Sequence, residues 1–342
     1  MSPIKMNKHT ENLIPIIILN WNGEDDTIEC LNSINQSKKS RFFAVLVDNG
    51  SAPESIAILK NKCKIIYRDI LFFNKAQILN IQDSMITRIS DSLTEESLVF
   101  IENGENLGFA QGNNIGIKFA ELIQAEWVML LNNDTVVQKN TFLELHKFIN
   151  SNSYIKAVTP QIRYYEPDTK VWNCGGKLTY LGSRKYYFAE MDHLKVPQTG
   201  CRKITFITGC ALLFKFKETG PLTDKFFFGE EDYEFSIRMK KTGMDMVCVY
   251  DAIIYHKVGS SIKKHSKPLE SIYIYYISRL INTRNYYSFL HWMLIKIATY
   301  VYIPILLIKN RINPIKSLAL IRRINLYVKY NNSVKHSEFR LL

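Results

Sequence analysis

Apolar and polar positions along the start of the chain indicate a strand, a loop and a helix. Residues 13–19 form a compact run rich in Ile, and the polar residues 20–23 follow at once. Three apolar side chains, Ile28, Leu31 and Ile34, then recur at the spacing of one helical face. This order of elements predicts a buried strand that leads through a polar loop into an amphipathic helix.

The same order of elements repeats twice. The apolar run "FFAVLV" ends at Val47, residues 48–51 are polar, and a helix is expected from about Ala52. Further on, "NNIGIKFAELIQA" reads as a helix that leads into the strand "EWVMLL". Strands that alternate with helices predict an α/β fold with a mostly parallel sheet flanked by helices.

Polar clusters follow three of the predicted strands. They comprise residues 20–23, 48–51 and 132–135. A turn explains any one cluster, because Asn and Asp bond readily to their own backbone. Ligands of open α/β sheets bind outside the carboxyl ends of the strands, and all three clusters fall there. The sequence therefore predicts a binding site at this edge.

The remaining pattern is less regular. Residues 60–102 read as a mixture of helix and loop, without a functional signal. A helix is predicted over 141–149, and "KITFITGCALLF" reads as a strand. The second half is expected to be mixed α/β with longer loops.

Four carboxylates crowd the stretch "FFFGEEDYEFSIRM", at Glu230, Glu231, Asp232 and Glu234. A helix dipole favours acids in the first turn, which accounts for two of the four. A half-buried carboxylate can also act as a general base towards a hydroxyl, with a partner such as Arg238 to orient it. Asp232 is the candidate for this role.

Composition restricts the environment and the partners. The six cysteines show no paired spacing, which predicts a reducing compartment, and the absence of a secretory pattern at the start predicts a cytoplasmic protein. The net charge of +12 implies an anionic partner. Nucleic acid, an acidic membrane leaflet and a phosphorylated small molecule all fit that charge.

From about Ser266 the chain is rich in Ile, Leu, Tyr, Lys and Arg and poor in acids. The most apolar window, 289–308, contains His291, Lys296 and Pro304. A spanning helix needs roughly twenty apolar residues with little charge. We therefore expect this segment to lie at a membrane interface rather than to cross the bilayer.

An ordered set of motifs resembles the family 2 glycosyltransferases with the GT-A fold, in particular the bacterial group that includes rhamnosyltransferases of cell-surface polysaccharide assembly. The motifs are "IIILNWNGEDDTIECLNSI", "VLVDNGS", "ENLGFAQGNNIGI", "WVMLLNNDTVV", "VWNCGGKL", "FITGCALLF", "FFFGEEDYEFSIRMKKTG", "YHKVGSS" and "YYISRLINTRNYYSFL". The resemblance implies a GT-A domain over 1–265, with a nucleotide-binding half to about 137 and an acceptor half over 138–265. It leaves 266–342 as a helical, membrane-associating extension.

The resemblance also implies the donor and metal sites. Residues expected to bind the nucleotide sugar are Asn20, Asn22, Asp48, Asn106, Gly108, Asn113, Asn132 and Asn133. "NND" occupies the place of the family's D-x-D motif, so Asp134 would hold a divalent metal, with His256 as a further ligand. Asn132 in place of the first Asp departs from the strictly acidic form. Mg²⁺ or Mn²⁺ is expected as the cofactor.

The implied reaction is an inverting sugar transfer. Asp232 would remove the proton from the acceptor hydroxyl, and Glu231 is the alternative base because the extra acid Glu230 leaves the register open. The acceptor side is expected to include Trp172, Gly175, Gly209, Glu234 and Arg238. The expected partners are a nucleotide-diphospho-sugar, first of all dTDP-rhamnose, a glycan or lipid-linked glycan acceptor and the anionic inner face of the cell membrane.

The sequence also bears on three other functions. A nucleic-acid binder is disfavoured because the basic residues concentrate with aliphatic residues in the C-terminal segment and no nucleic-acid motif occurs. A dinucleotide-dependent oxidoreductase is disfavoured because "NWNGEDD" lacks the closely spaced glycines of a pyrophosphate loop. A catalytically inactive GT-A scaffold stays open, because "NND" lacks the first acid.

Overall fold

The computed structural model describes residues 13–258 and 268–339. Its first half contains β1 (Ile14–Asn20), α1 (Glu24–Gln36), β2 (Phe42–Asp48), α2 (Pro53–Ile66), β3 (Asp69–Asn74), α3 (Lys75–Leu79), α4 (Asp83–Ser92), β4 (Ser97–Glu102), α5 (Gly108–Leu122), β5 (Val128–Asn132) and β6 (Thr135–Val137). Strands β1 and β2 are buried along almost their whole length, because helices cover both faces of the sheet.

The second half contains α6 (Thr141–Ser151), β7 (Ala157–Tyr164), β8 (Val171–Asn173), β9 (Gly176–Leu178), β10 (Arg184–Tyr186), β11 (Cys201–Ile204), β12 (Ala211–Phe214), α7 (Phe216–Thr219), α8 (Glu231–Lys241) and β13 (Met246–His256). Four helices follow: α9 (Pro268–Tyr286), α10 (Phe289–Lys309), α11 (Lys316–Tyr330) and α12 (His336–Phe339). The described helices therefore cover the part of the chain in which a helical extension was expected.

One large sheet runs in the order β11-β13-β7-β12-β5-β1-β2-β4-β3, with β6 and β8 paired at its side. Strands β3, β4, β2, β1 and β5 are mutually parallel, whereas β12 runs antiparallel to both of its neighbours. The mostly parallel α/β sheet predicted from the sequence is confirmed. Two hydrophobic cores, one on each face, hold it against the helices.

The irregular stretch 60–102 contains two strands that the sequence pattern did not reveal, the largely exposed β3 and the buried β4. Within the described residues, strand β3 pairs only with β4, so it forms an edge of the sheet, and most of its side chains are partly or fully exposed. An edge strand needs no continuous apolar run, which explains the weak signal of β3. Strand β4 has six residues with a short apolar run, and periodicity alone does not separate so short a buried strand from a helix. The short helix α3 follows β3 directly. Its N-cap residue is Asn74, which forms a capping box with Gln77.

The prediction that "KITFITGCALLF" forms one continuous strand is wrong. The structure divides it into β11 and β12, and residues 205–210 between them leave the sheet. Ser236 of α8 holds this connection, because its hydroxyl accepts a hydrogen bond of 3.0 Å from the Ile207 amide. The connection therefore runs beside the acid-rich start of α8.

The C-terminal helices form their own apolar cluster, which also includes Phe226 of the main domain. Helix α10 is, among the described residues, the one helix long and apolar enough to cross a membrane, and 22% of its most apolar window is buried in the fold. The predicted domain boundary at 265/266 falls within 259–267, outside the described residues. It stays a prediction.

Candidate active site

The carboxyl ends of three central strands bring the predicted nucleotide residues together. Asn20 and Asp48 are register partners at the ends of β1 and β2, and Asn132 ends β5 on the other side of β1. The Asn20 amide nitrogen donates to Asp48 Oδ1 at 2.9 Å and to Ser51 Oγ at 3.0 Å. Asp48 is fully buried, so this amide fixes the orientation of a carboxylate at the sheet edge.

Asn20 and Asn22 shape the loop after β1. The Asn20 side-chain oxygen Oδ1 accepts hydrogen bonds from Thr27 Oγ1 at 2.8 Å and from the Gly23 backbone N–H at 3.2 Å. Asn22 has a left-handed backbone with φ of 49°, and its side chain accepts a bond of 2.8 Å from the Ala52 amide. Both predicted residues thus lie at the edge, where they order the loops around Asp48.

A third loop approaches through Asn106 and Gly108. Asn49, which belongs to the predicted cluster 48–51 but was given no role of its own, donates to Asn106 Oδ1 at 3.0 Å and to the Gly108 carbonyl at 3.1 Å. Gly108 has a φ of +80°, and a Cβ there would meet the Phe227 carbonyl oxygen at 2.1 Å, so only glycine fits. Asn113, one turn into α5, is buried and donates to the Phe109 carbonyl at 2.9 Å.

The turn after β5 carries Asn133 and Asp134. The side-chain nitrogen of Asn133 donates a hydrogen bond to Thr27 Oγ1 at 2.9 Å, which connects the turn to the start of α1. Asp134 Oδ1 lies 3.1 Å from His256 Nε2, and both side chains are 8% exposed. His256 is the last residue of β13 and pairs with Thr135 of β6. The structure therefore brings together the two residues predicted as metal ligands.

The donor set at this turn fits a hard divalent cation that takes most of its ligands from a substrate. A carboxylate oxygen and an imidazole nitrogen that lie 3.1 Å apart would both be able to bind one ion. No group of three or more His, Cys, Asp or Glu side chains suited to a metal occurs in the described part of the chain. Oxygens of a diphosphate would have to complete the coordination.

A cavity of about 600 Å³ opens beside this pair. Its lining comprises Tyr164, Tyr165, Glu166, His256, Lys257 and Val258. Lys257 forms ion pairs with Asp26 at 2.7 Å and Glu29 at 2.5 Å, both on α1. A smaller cavity of about 270 Å³ lies at the opposite end of β1 and is remote from the polar residues of the edge.

The first turn of α8 presents two carboxyl groups with different surroundings. Burial raises the pKa of Glu231 to about 8, and the neighbouring Asp232 adds to this increase. Burial also raises the pKa of Asp232, but Arg184 opposes the increase and the Gly209 amide favours the ionised form. At neutral pH, Glu231 is thus mainly protonated.

Asp232 faces the connection that leaves the sheet. Its Oδ2 accepts a bond of 3.4 Å from the Gly209 amide, and Arg184 Nη1 lies 3.5 Å from its Oδ1. The backbone carbonyl of the next residue, Cys210, accepts a hydrogen bond of 2.9 Å from the backbone N–H of Asn132. Two adjacent residues therefore link Asp232 to the turn that carries Asp134. Arg184, in a short hairpin distant in sequence, carried no signal that could have identified it.

Glu234 and Arg238 point away from Asp232 towards the C-terminal helices. Arg238 Nε donates to Glu234 Oε1 at 3.1 Å, and Arg238 Nη2 donates to Glu234 Oε2 at 3.2 Å. Tyr286 of α9 donates a further hydrogen bond to Glu234. Because three donors already bind the Glu234 carboxylate, the acceptor role expected for the two residues gains no support from these contacts.

Trp172, Gly175 and Gly209 lie on the side of the edge expected to bind the acceptor. The Trp172 ring packs against His256, with ring centroids 4.6 Å apart. Gly175 has a φ of +67°, and a Cβ there would meet Ile204 at 2.5 Å. A Cβ on Gly209 would lie 3.4 Å from the Phe109 ring, in ordinary contact. Trp172 thus connects the predicted acceptor side with the His256 imidazole.

The sequence profile of the family described as Glycosyltransferase like family 2 matches residues 79–269, which is more than half of the chain. The chain belongs to this glycosyltransferase family. The matched region carries "NND", Asp232 and His256, but it begins after β1 and β2. The family predicted from the motifs is confirmed.

One curated relative supports the same family. The low-salt glycan biosynthesis hexosyltransferase Agl10 of Haloferax volcanii is 23% identical over 181 residues, a match that covers 50% of this chain and 55% of that protein. The glycosyltransferase chain thus spans only about half the length of this relative.

Two solved structures share the fold. Crystals of GalNAc-T7 with UDP, GalNAc and Mn²⁺ give a TM-score of 0.58 at 15% identity, covering 98% of this chain and 57% of that one. The mannosyltransferase PcManGT of Pyrobaculum calidifontis, in complex with GDP-Man and Mn²⁺, gives a TM-score of 0.54 at 13% identity. The match covers 96% of this chain and 85% of that one. At these identities the likeness concerns the fold, and it confirms the predicted GT-A class.

Proposed function

We propose that the protein transfers a sugar from a nucleotide-diphosphate donor to a hydroxyl group, with inversion at the anomeric carbon. The observation that carries this proposal is the link through Gly209 and Cys210, which joins Asp232 to the turn bearing Asp134. A candidate base and a candidate diphosphate site are thereby held on one edge of the sheet. An inverting transfer requires those two groups together.

The donor half supports a nucleotide at the ends of β1 and β2. The buried Asp48 carboxylate is a fixed acceptor for the N–H of a pyrimidine base or for ribose hydroxyls. Asn106, Gly108 and Asn113 border the same edge and would face the sugar and diphosphate. The first choice of donor is dTDP-rhamnose, because the motifs resemble the rhamnosyltransferase group most.

Asp134 and His256 would hold Mg²⁺ or Mn²⁺, and the structures of GalNAc-T7 and PcManGT named above contain Mn²⁺. When bound, the metal would neutralise charge that develops on the leaving diphosphate. Asn133 and Thr27 brace the turn, so that the Asp134 carboxylate is oriented before the donor arrives. Asn132 brings an amide where the family's motif has an acid, and it could still donate to a phosphate oxygen.

Asp232 is the base that the arrangement favours over Glu231. As the acceptor oxygen forms its bond to the anomeric carbon, the hydroxyl proton passes to an Asp232 oxygen. The bond from that carbon to the diphosphate breaks, and the electron pair leaves with the diphosphate. Glu231 is the weaker candidate, because its pKa of about 8 leaves it mainly protonated at neutral pH. A protonated carboxyl cannot accept the proton.

The C-terminal helices support a membrane-associated acceptor. Leu290, Leu294, Ile297, Val301, Ile305 and Ile308 are exposed and recur every three or four residues, which places them on one face of α10. Lys309, Arg311 and Lys316 are exposed beside the end of this face. An apolar face with basic neighbours suits the interface of an anionic leaflet. We therefore propose a lipid-linked glycan acceptor at the inner face of the cell membrane, with the protein cytoplasmic and peripheral.

The deciding experiment measures donor hydrolysis and transfer across a panel of nucleotide sugars, each with Mg²⁺, Mn²⁺ or a chelator. The proposal expects one donor to be consumed only when metal is present. An inactive scaffold is the second candidate, because Asn132 replaces the first acid of the metal motif. Donor binding without turnover under every condition would favour the scaffold and contradict the transferase.

A further inference from the structure

Glu230 has an unusual backbone conformation directly before α8. Its φ is 77°, in the left-handed region that non-glycine residues rarely adopt, and it is the residue that precedes the first helical position. Gly229 before it is also left-handed, with a φ of +83°. Asp232 follows two residues later, so the direction of its side chain depends on how Glu230 is held.

Arg279 of α9 holds the Glu230 side chain. Its Nε donates to Oε2 at 2.5 Å and its Nη2 donates to Oε1 at 2.7 Å, and both side chains are 3% exposed. Its Nη1 donates to the Gly182 carbonyl at 2.5 Å, and the guanidinium lies 3.5 Å from the centre of the Tyr233 ring. This two-pronged pairing with a stacked ring fixes the carboxylate in one orientation.

Asn282, one turn further along α9, holds the backbone of the same residue. Its side-chain nitrogen donates to the Glu230 carbonyl at 2.9 Å, and Asn282 is fully buried. Helix α9 therefore contacts both the side chain and the main chain of Glu230. A buried ion pair adds little net stability over apolar packing, so orientation is the more plausible reason for this one.

We propose that helix α9 of the C-terminal extension is part of the catalytic centre, and that Arg279 and Asn282 are positioning residues which aim Asp232 through Glu230. This inference rests on the proposed function, in which Asp232 is the base. The extension then has two roles: α10 presents the apolar face, whereas α9 sets the geometry of the reaction. The boundary predicted at 265/266 would not separate a catalytic domain from a dispensable anchor.

The test compares Arg279→Met with a matched control, Arg323→Met. Arg323 of α11 also pairs with a glutamate, Glu270, at 2.7 Å and stacks on a tyrosine, Tyr273, at 3.7 Å, but it lies away from α8. Misplacing a reacting group by about 1 Å can cost about 100-fold in rate. We expect Arg279→Met to lower kcat by about that factor. Donor Kd should be unchanged, and Arg323→Met should keep the wild-type kcat.

A pH profile separates positioning from a loss of folded protein. The charged and titratable groups around Asp232 are Arg184 and Tyr186 of β10, Glu230 and Glu231 beside it, and Arg279 and Tyr275 of α9. Arg279→Met removes a positive charge, so the acid limb of kcat/KM should move to higher pH. Glu230→Gln removes a negative charge and should move it to lower pH. A purely structural pair would give losses without opposite shifts.

Hydrogen exchange of residues 229–234 provides a readout that needs no turnover. Exchange should accelerate in Arg279→Met and Asn282→Ala and stay at the wild-type rate in Arg323→Met. Unchanged exchange in the first two variants would overturn the inference, as would wild-type kcat in an active enzyme. If the wild type turns over no donor, the proposed function fails, and the exchange measurement still decides whether α9 holds this turn.

Discussion

Asp134 Oδ1 and His256 Nε2 lie 3.1 Å apart, although Asp134 follows β5 and His256 ends β13, which is distant in the sequence. The pairing of β6 with β13 produces this contact, because it places His256 opposite Thr135, the residue after Asp134. A carboxylate and an imidazole this close together form a small donor set for a divalent ion. Each consequence of that arrangement can be measured.

Replacing Asp134 or His256 with Ala should abolish the response to metal. Each substitution removes one of the two protein ligands, and we expect the affinity for Mn²⁺ in the presence of nucleoside diphosphate to fall by about 100-fold. Isothermal titration measures this directly. Asp251→Asn, on the same strand as His256 but bonded to the Gly200 amide, is the matched control. Equal Mn²⁺ affinity in all of these proteins would contradict the assignment.

Replacing Asp48 with Ala should weaken nucleotide binding. A hydrogen bond to a charged group contributes about 1.5–3 kcal/mol, which corresponds to roughly 10-fold to 150-fold in Kd. The measurement is the Kd of a series of nucleoside diphosphates, which also identifies the base. Asp69→Ala, at the exposed start of the edge strand β3, should leave those values unchanged. Equal losses in both variants would indicate a general effect on the fold.

Glu231 should make stability depend on pH. Its pKa is about 8 in the folded protein against an ordinary value of 4.5, so between these values the unfolded chain is ionised while the folded one keeps its proton. The free energy of unfolding then falls as pH rises through that window, by up to about 1.4 kcal/mol per pH unit. The neutral variant Glu231→Gln lacks this loss.

Urea unfolding at pH 5 and pH 8 provides the comparison for Glu231. Glu231→Gln should gain stability over the wild type as the pH is raised, and the gain should level off above about pH 8. A constant difference between the two proteins at all pH values would show that the wild-type carboxyl is not protonated in the folded state.

Leu290→Glu combined with Val301→Glu should weaken membrane binding. The two residues are 76% and 67% exposed on one face of α10, and burial of such a side chain contributes about 1.5–3 kcal/mol. We expect at least a tenfold loss of sedimentation with anionic vesicles, and binding of the wild type should decrease with salt. Ile65→Glu, at an equally exposed site on α2, is the control. Unchanged sedimentation of the double variant would contradict the interface.

Much of the donor side could be predicted from sequence because its residues are local to strand ends. Asn20, Asp48 and Asn132 end three adjacent strands, and an alternation of strands and helices is sufficient to place such residues on one edge. The edge strand β3 was missed because its exposed side chains give no apolar pattern. Periodicity reports burial, so a strand that is only partly buried escapes it.

The groups around Asp232 could not be predicted in the same way. Arg184 and Arg279 approach this turn through a short hairpin and a C-terminal helix, and neither contact leaves a local motif. Glu234 and Arg238 were expected on the acceptor side from their position in the motif, yet they bond to each other and to Tyr286. The acidic residues at the start of α8 can be read from the sequence, but the directions of their side chains depend on tertiary contacts.

The most direct test of the central claim is the behaviour of Asp232→Asn with the donor that the wild type consumes. The substitution keeps the size of the side chain and removes its ability to accept a proton. The account predicts wild-type donor and metal affinity together with a loss of transfer of about 100-fold or more. Transfer at the wild-type rate by Asp232→Asn would contradict the assignment of Asp232 as the base.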